Sequence, residues 1–176
     1  MRGASLRDGL TTVRYRVLAW LALTGLTCAA GAAAQTPAAP AAGTTVKVFM
    51  LALEDDGKSG KKIGCNDSVV AVERLVPRTT APLGAAIREL VSIRDRMYGQ
   101  SGLYNALSQS SLRVDAVGLA NGVAEIRLSG TFKTGGACDN PRIEAQIKET
   151  ALQFSTVRTV QVFINDAPLD IALSAK

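Results

Sequence analysis

The sequence contains no histidine among its 176 residues. This absence excludes Ser-His-Asp and Cys-His nucleophile systems, and it excludes every zinc site that requires an imidazole ligand. General acid–base catalysis would therefore have to use carboxylates, lysine or tyrosine. No pattern of metal ligands or of cofactor-binding residues replaces the missing imidazoles, so we expect neither a metal nor a cofactor.

Residues 1–34 have the composition of a secretory signal peptide. Four arginines precede an apolar run from Val17 to Cys28, and Ala32, Ala33 and Ala34 stand before Gln35. This is the basic, apolar and small-residue order of an export signal, and the run is shorter than the about 20 residues of a membrane span. We expect cleavage near Ala34 and export to the periplasm, envelope or medium. The alternatives are an uncleaved membrane anchor and lipidation of Cys28.

Removal of this segment changes both the net charge of the chain and the number of residues that can fold. The whole chain has 20 basic and 15 acidic residues, whereas residues 35–176 keep 16 and 14. No stripe of Lys and Arg is interleaved with aromatic residues, so we expect no nucleic-acid partner. Residues 35–44 are a Pro- and Ala-rich linker that cannot form a core. One folded domain is predicted for residues 45–176.

Cys65 and Cys138 are the two cysteines that remain after the predicted cleavage site. An even number of cysteines in an oxidising compartment predicts a disulfide between them. The bond would close a loop of about 70 residues and stabilise the fold by about 4 kcal/mol. The alternative, a reactive or metal-binding pair, lacks both a CxxC spacing and a histidine.

Alternating or apolar runs predict six strands, and two amphipathic runs predict helices between them. Asn121-Gly122 is the strongest hairpin signal, because Asn and Gly tolerate positive φ in a two-residue turn. The predicted order is β-β-α-β-β-α-β-β, an α+β domain with two helices on one face of a mainly antiparallel sheet. The predicted strands are Val46–Leu53, Ser68–Val76, Leu112–Leu119, Val123–Leu128, Thr159–Ile164 and a short final one at Leu169–Leu173.

The two predicted helices have start signals as well as apolar stripes. The first opens at Thr80-Ala81-Pro82, with proline near the first helical position. For the second, Asn140 is the predicted N-cap and Pro141 the first helical residue. The predicted buried residues are Leu83, Ala86, Ile87, Leu90 and Val91 in the first helix, and Ile143, Ile147, Ala151 and Phe154 in the second.

The connection of residues 98–111 is rich in Gly, Ser and Gln and is long for a compact domain. Connections of this length are often functional, so Tyr98 and Tyr104 within it are a candidate contact patch. The alternative, which we slightly prefer, is that both rings pack back on the domain. The acidic triplet Glu54-Asp55-Asp56 lacks the ligand spacing of a calcium loop and is interpreted as a solvated turn.

Taken together, the elements resemble the GerMN domain family over nearly all of residues 46–173. The resemblance lies in the strand Val46–Leu53 with the helix of residues 85–91, and in the hairpin segment from Leu112 to Ser129 followed by Phe132. It continues through residues 146–154 and the strand that ends at Ile164. The family implies an exported or lipid-anchored envelope protein with a link to sporulation and germination, and it provides no catalytic motif.

The leading hypothesis is therefore a non-enzymatic envelope module that acts through contacts with envelope proteins or with itself. The surfaces to test first are the loop of residues 98–111 and the exposed sheet edges, because edge strands recruit partners through unpaired backbone groups. The alternative is a peptidoglycan- or glycan-binding module that uses Tyr98 and Tyr104. A carboxylate-based enzyme is the third hypothesis.

Overall fold

Seven strands and three α-helices form the part of the chain that the structure, a computed structural model, describes: residues 43–175. The α+β fold class predicted from the sequence is confirmed, and the described residues lie in one compact unit. The elements in chain order are β1 (Gly43–Ala52), β2 (Lys61–Lys62), β3 (Ser68–Pro77), α1 (Pro82–Ser92), β4 (Ser111–Ala120), β5 (Val123–Thr131), α2 (Asp139–Leu152), β6 (Thr159–Ile164), β7 (Ala167–Pro168) and α3 (Leu169–Ser174).

The first sheet has the order β1-β3-β2, and both of its pairings are antiparallel. β1 pairs with β3 along its whole length, from Gly43 opposite Pro77 to Ala52 opposite Ser68. β2 covers only Val69 and Ser68 on the other side of β3. The sheet therefore consists of one long ribbon with a short third strand at one corner.

The second sheet has the order β4-β5-β6-β7. β4 and β5 form the hairpin predicted at Asn121-Gly122, and both turn residues have positive φ. Ala124, Ile126 and Leu128 face the core, as their alternation with polar residues predicts. β5 and β6 run parallel, with α2 as the crossover between them. A parallel pair needs such a crossover because a tight turn can join only antiparallel strands.

Both long helices contact strands of both sheets and so join them into one fold. α1 begins at Pro82, as predicted, and contacts β1 and β4; α2 contacts β1 and β6. The predicted stripes are buried, except that Phe154 lies beyond the end of α2 and is only partly covered. One core cluster contains apolar residues from both sheets and both helices.

The strands divide between two sheets, whereas the sequence predicted a single mainly antiparallel one. Strand patterns identify strands but not their neighbours, since pairing depends on contacts distant in sequence. Four of the five pairings among the described strands are antiparallel, in agreement with that part of the prediction. The helices accordingly pack between strands of two sheets, and not on one face of one sheet.

Leu169–Leu173 forms part of helix α3, so the predicted final strand is wrong. The strand that pairs with β6 on the side opposite β5 is the two-residue β7, directly before α3. A short apolar run cannot be assigned to strand or helix by periodicity alone. The features that favour a helix are Pro168 at the N-cap and Asp170 in the first turn, where a carboxylate interacts favourably with the helix dipole.

The predicted N-cap Asn140 is also wrong, because α2 begins one residue earlier, at Asp139. The amide of Asn140 instead donates to the carbonyl oxygen of Leu173 at 3.3 Å. Asp139 accepts a hydrogen bond from the backbone N–H of Gly135, 2.7 Å away. The start of α2 is thus held by contacts that lie outside the usual capping pattern.

The predicted signal peptide, Cys28 and most of the predicted linker lie outside the described residues. The last two linker residues, Gly43 and Thr44, already belong to β1, so the folded part begins slightly earlier than predicted. Within residues 43–175, none of the helices has the length and apolar character needed to cross a membrane.

Candidate functional site

A disulfide between Cys65 and Cys138 joins the two chain segments that border the polar centre of the domain. Cys65 lies in the 3-10 turn Gly64–Asn66, and Cys138 directly precedes α2. The disulfide predicted from the sequence is therefore present. It fixes the residues that follow each cysteine, which include two buried carboxylates, Asp67 and Asp139.

Asp67 and Asp139 share one guanidinium, that of Arg142. Nε of Arg142 donates to Oδ2 of Asp67 at 2.6 Å, and Nη1 donates to Oδ1 of Asp139 at 3.2 Å. The other oxygens are also engaged: Asp67 accepts from the N–H of Glu54, and Asp139 from the N–H of Gly135. Each oxygen of both carboxylates thus accepts at least one hydrogen bond. We call Asp67, Asp139 and Arg142 the carboxylate clamp.

The surroundings of the clamp favour the charged form of Arg142. Burial disfavours the charged guanidinium of Arg142, but hydrogen bonds to Asp67 and Asp139 outweigh burial and raise its pKa above the usual value. Burial, followed by the negative charge of Asp139, raises the pKa of Tyr104, whose hydroxyl contacts that carboxylate at 3.3 Å. Neutral tyrosine and charged arginine suit a structural contact better than proton transfer.

A second polar group lies deeper, around the buried amide of Gln146. Oε1 of Gln146 accepts from the N–H of Ala106 at 2.9 Å, and Nε2 donates to the carbonyl oxygen of Phe49 at 3.0 Å. Asn105 donates in turn to the carbonyl of Ile93. This network ties the connection between α1 and β4 to both α2 and β1.

Side chains of α2, the side chain of Gln153 directly after it and the backbone of Tyr104 close the outer edge of β1 from Lys47 to Leu51. Gln153 accepts from the N–H of Lys47 and donates to its carbonyl oxygen, each at 2.7 Å. Oγ1 of Thr150 accepts from the N–H of Phe49. Leu51 and Tyr104 exchange backbone hydrogen bonds at 3.0 and 2.7 Å. A helix and a loop thereby occupy the hydrogen-bonding positions of a neighbouring strand.

The structure separates the two tyrosines predicted as a contact patch. Tyr104 is only 5% exposed, and its ring lies beneath the guanidinium groups of Arg96 and Arg142. Tyr98 is half-buried; its hydroxyl accepts from Nη1 of Arg74 at 3.0 Å, and that guanidinium also lies over its ring. Both rings pack back on the domain, which is the alternative that we prefer from the sequence. These contacts of Tyr98 and Tyr104 hold the connection of residues 98–111 against the domain.

The acidic triplet is a hydrogen-bonded turn. Asp55 accepts from the hydroxyls of Ser68 and Ser59 and from the N–H of Ser59. These hydrogen bonds, that of Ser68 first, lower the pKa of Asp55 to about 2. Asp56 pairs with Lys62. Within residues 43–175, no three Asp, Glu or Cys side chains cluster as metal ligands would.

Sequence reasoning missed Asp67, Asp139, Arg142 and Gln146. Of these four, only Gln146 could be identified from its neighbours in the sequence. It lies three residues after Ile143 and therefore falls on the buried stripe of α2. The partners of the clamp come from segments 75 residues apart in sequence. Spacing in the sequence therefore contained no indication that they meet.

In the described part of the chain, strand edges without a neighbouring strand remain at β3 and β4, and at β6 from Thr159 to Val162, because β7 covers only Phe163 and Ile164. β3 has β1 on one side, but β2 covers the other side only at Ser68 and Val69. Ala71, Glu73 and Leu75 follow on this open edge and are exposed, with Leu75 at 71%. β4 is bonded only to β5 and forms the outer edge of its sheet.

A groove of about 460 Å³ runs between β4 and the first turns of α1. Val117 and Leu119 lie opposite Ile126 and Ala124, so their side chains share the core-facing side of the sheet. The helices do not cover this side completely at the edge, and Leu119 is 45% exposed. We call this feature the α1–β4 groove; it is lined by Thr80–Gly84, Arg88, Val114–Leu119, Phe154 and Thr156.

The fold, the disulfide and the clamp define a small cross-linked α+β module, and its accessible features are strand edges and a peptide-sized groove. Residues 49–170 match the Germane family, described as sporulation and spore germination. The match covers more than half of the chain, and the chain belongs to this family. The resemblance to GerMN domains found in the sequence is thereby confirmed.

Two solved structures are similar to this chain. The tandem GerMN domains of the sporulation protein GerM from Bacillus subtilis are similar with a TM-score of 0.52 and 16% identity. That match covers 73% of this chain and 41% of that chain, so the protein spans about two fifths of the tandem structure. The first GerMN domain of the same protein matches at 21% identity with a TM-score of 0.47, covering 71% of this chain and 85% of that one. Comparison with curated proteins gave no significant match.

Proposed function

We propose that the protein is a non-enzymatic module, exported to the cell envelope, that acts through contacts with other proteins or with further copies of itself. The observation that carries the proposal is the contrast between its strand edges. The edge of β1 is closed by α2 and Tyr104, whereas β3 and β4 present edges without a strand neighbour among the described residues. Exposed edge strands recruit other chains unless they are blocked.

Three further observations support the proposal. The N-terminal residues have the pattern of an export signal, and a disulfide is stable in the compartment to which such a signal leads. Family membership adds a link to sporulation and germination proteins. The carboxylates of the clamp already accept hydrogen bonds from Arg142 and from backbone N–H groups, which leaves them poorly suited to act as a base.

Glycan binding loses its main support because Tyr104 is buried and Tyr98 is covered on one face by Arg74. A carbohydrate site of the predicted kind would need these rings as open platforms. We therefore propose protein contact alone.

Site-specific photo-cross-linking in intact cells tests the proposal. A photoreactive residue is placed at Leu75 or at Leu119, on the open edges of β3 and β4, and at Lys47 on the closed edge as the matched control. We expect ultraviolet-dependent adducts with another protein or with a second copy from an open-edge position, and none from Lys47. The absence of adducts from both open-edge positions, with normal accumulation of the protein, would contradict it. Fractionation of the same cells shows whether the protein leaves the cytoplasm.

A further inference from the structure

We propose that the α1–β4 groove binds an extended peptide that carries an aliphatic side chain and a carboxylate, and that the peptide adds a strand to the free edge of β4. This inference rests on the proposed function and deepens it, because it names the chemistry of the partner at one open edge. The backbone, the apolar surface and the charge of the groove each fit such a peptide.

The backbone of β4 offers hydrogen-bonding groups toward the groove. In an antiparallel pair, every second residue of an edge strand directs its N–H and C=O away from the partner. Leu112 marks this side, since its carbonyl oxygen accepts from Arg94 instead of from β5, at 3.4 Å. Farther along β4, past the bulge at Asp115, Val117 and Leu119 lie on the same side and face the groove. An extended peptide could pair with them as a fifth strand.

The floor and walls of the groove are apolar. Val117 and Leu119 form the floor, and Leu83 and Phe154 contribute to the walls. Leu119 is one of few large aliphatic residues in the described chain that are exposed, although it faces the core side of its sheet. Burial of apolar area is worth about 25 cal/mol per Å². An aliphatic side chain of a bound strand would cover this surface.

Arg88 gives the groove a positive charge without an internal partner. Its guanidinium lies over Gly84, where a Cβ would be only 3.3 Å from Nη1, so the absence of a side chain at Gly84 makes room for it. Arg74 of β3 is paired with Glu89, whereas Arg88 forms no ion pair within residues 43–175. Asp115 at the other wall is paired with Arg113 at 2.9 Å. Charge complementarity therefore favours a carboxylate on the ligand, as an acidic side chain or a chain terminus.

A strand edge beside a helix favours a peptide over other apolar ligands. A lipid chain would satisfy the apolar floor but not the N–H and C=O groups of β4, whereas a peptide backbone satisfies both. In this mode, backbone hydrogen bonds provide affinity and the pockets for alternate side chains provide specificity.

The test uses the purified protein and a phage library of random decapeptides with free C-termini. We expect selection of sequences that combine an aliphatic residue with a carboxylate. A fluorescent synthetic peptide with the consensus sequence then gives the dissociation constant by anisotropy. In NMR spectra, the amides of Val117 and Leu119 should shift on binding, because they would gain hydrogen bonds to the added strand.

Two variants and two matched controls locate the site. Leu119→Asp and Arg88→Glu should each weaken binding by about tenfold or more, the effect typical of central interface residues. Ile171→Asp, at an exposed aliphatic residue of α3, and Lys58→Glu, in an exposed turn, should leave binding unchanged. Circular dichroism and thermal unfolding establish that each variant is folded.

Three outcomes overturn the proposal: no enriched consensus, a consensus peptide that binds Leu119→Asp and Arg88→Glu as well as the unaltered protein, or palmitate shifting the same amides while no peptide does so. Failure of the proposed function is recognised separately. Photo-cross-links from Leu75 without peptide binding would overturn the groove site only, whereas the absence of cross-links from both edges would contradict protein contact as a whole.

Discussion

At the scale of single residues, the chemistry of this domain is concentrated in the carboxylate clamp. Two aspartates and one arginine are removed from water beside a disulfide. The guanidinium forms an ion pair with each carboxylate, so the opposite charges compensate one another. A buried ion pair contributes modestly when intact, because desolvation offsets much of the attraction. Loss of one partner is costly, since the remaining charges stay buried without compensation.

Replacement of Arg142 by Met tests this asymmetry. The variant keeps most of the side-chain volume but leaves Asp67 and Asp139 without their cation, so the free energy of unfolding should fall by about 3–5 kcal/mol at neutral pH. Urea denaturation followed by circular dichroism measures the change. Arg127→Met is the control, because Arg127 is bonded to Glu125 and Asp166 at the surface and should lose no more than about 1 kcal/mol.

A difference of under about 1 kcal/mol at neutral pH between Arg142→Met and the unaltered protein would show that the clamp is not a main support of the fold.

At the scale of elements, α2 has two roles, of which the first is usual for a helix and the second for a neighbouring strand. It is the crossover helix between parallel strands, and its polar side chains complete the hydrogen bonding of β1. Gln146, Thr150 and Gln153 follow the helical spacing, which brings all three to the same strand. The edge of β1 is therefore satisfied without a further strand.

Replacement of Gln146 by Ala tests the closed edge. Gln146 is fully buried, and its loss leaves the carbonyl oxygen of Phe49 and the N–H of Ala106 without these partners. We expect a loss of about 3 kcal/mol in unfolding free energy, since each buried unsatisfied group costs about 1–3 kcal/mol. Faster hydrogen exchange at the amide of Ala106 should accompany it.

The control for this variant is Gln161→Ala, which removes an exposed glutamine from β6. It should change stability by no more than about 0.5 kcal/mol. Equal effects of the two substitutions, or unchanged exchange at Ala106, would contradict the role given to Gln146.

The same elements show which features the sequence could predict. The hairpin at Asn121-Gly122 and the start of α1 at Pro82 depend on neighbouring residues, and both were predicted correctly. Division of the strands into two sheets depends on which strands meet, and so does the contact of Asp67 with Arg142. Gln146 was missed for a different reason: an apolar stripe identifies a buried face but does not reveal a polar residue that is satisfied within it.

At the scale of the whole molecule, the disulfide connects a turn next to the first sheet with the crossover helix of the second sheet. It spans 73 residues, from the turn before β3 to the start of α2. Closure of a loop of this length by a disulfide greatly lowers the conformational entropy of the unfolded chain. The cross-link also holds Asp67 and Asp139 near Arg142, so it stabilises the clamp as well as the fold.

Conversion of Cys65 and Cys138 to Ser tests this contribution. The double variant should lose about 4 kcal/mol of unfolding free energy, as the chain-entropy relation gives for a loop of this length. Urea denaturation of the oxidised protein and of the variant measures it. The reduced, unaltered protein is the control and should match the variant; a loss below about 1 kcal/mol would show that the folded state gains little from the bond.

The closed edge of β1 has a consequence for stoichiometry. A sheet with two open edges can accept a strand on each side, and repeated addition of this kind leads to fibres. In the sheet β1-β3-β2, one side is blocked by Gln153, Thr150, Gln146 and Tyr104. Only the other side of this sheet can accept a further strand. Any strand that joins it must arrive at β3, and a second cannot follow from the opposite side. Association through this sheet therefore ends after a single addition.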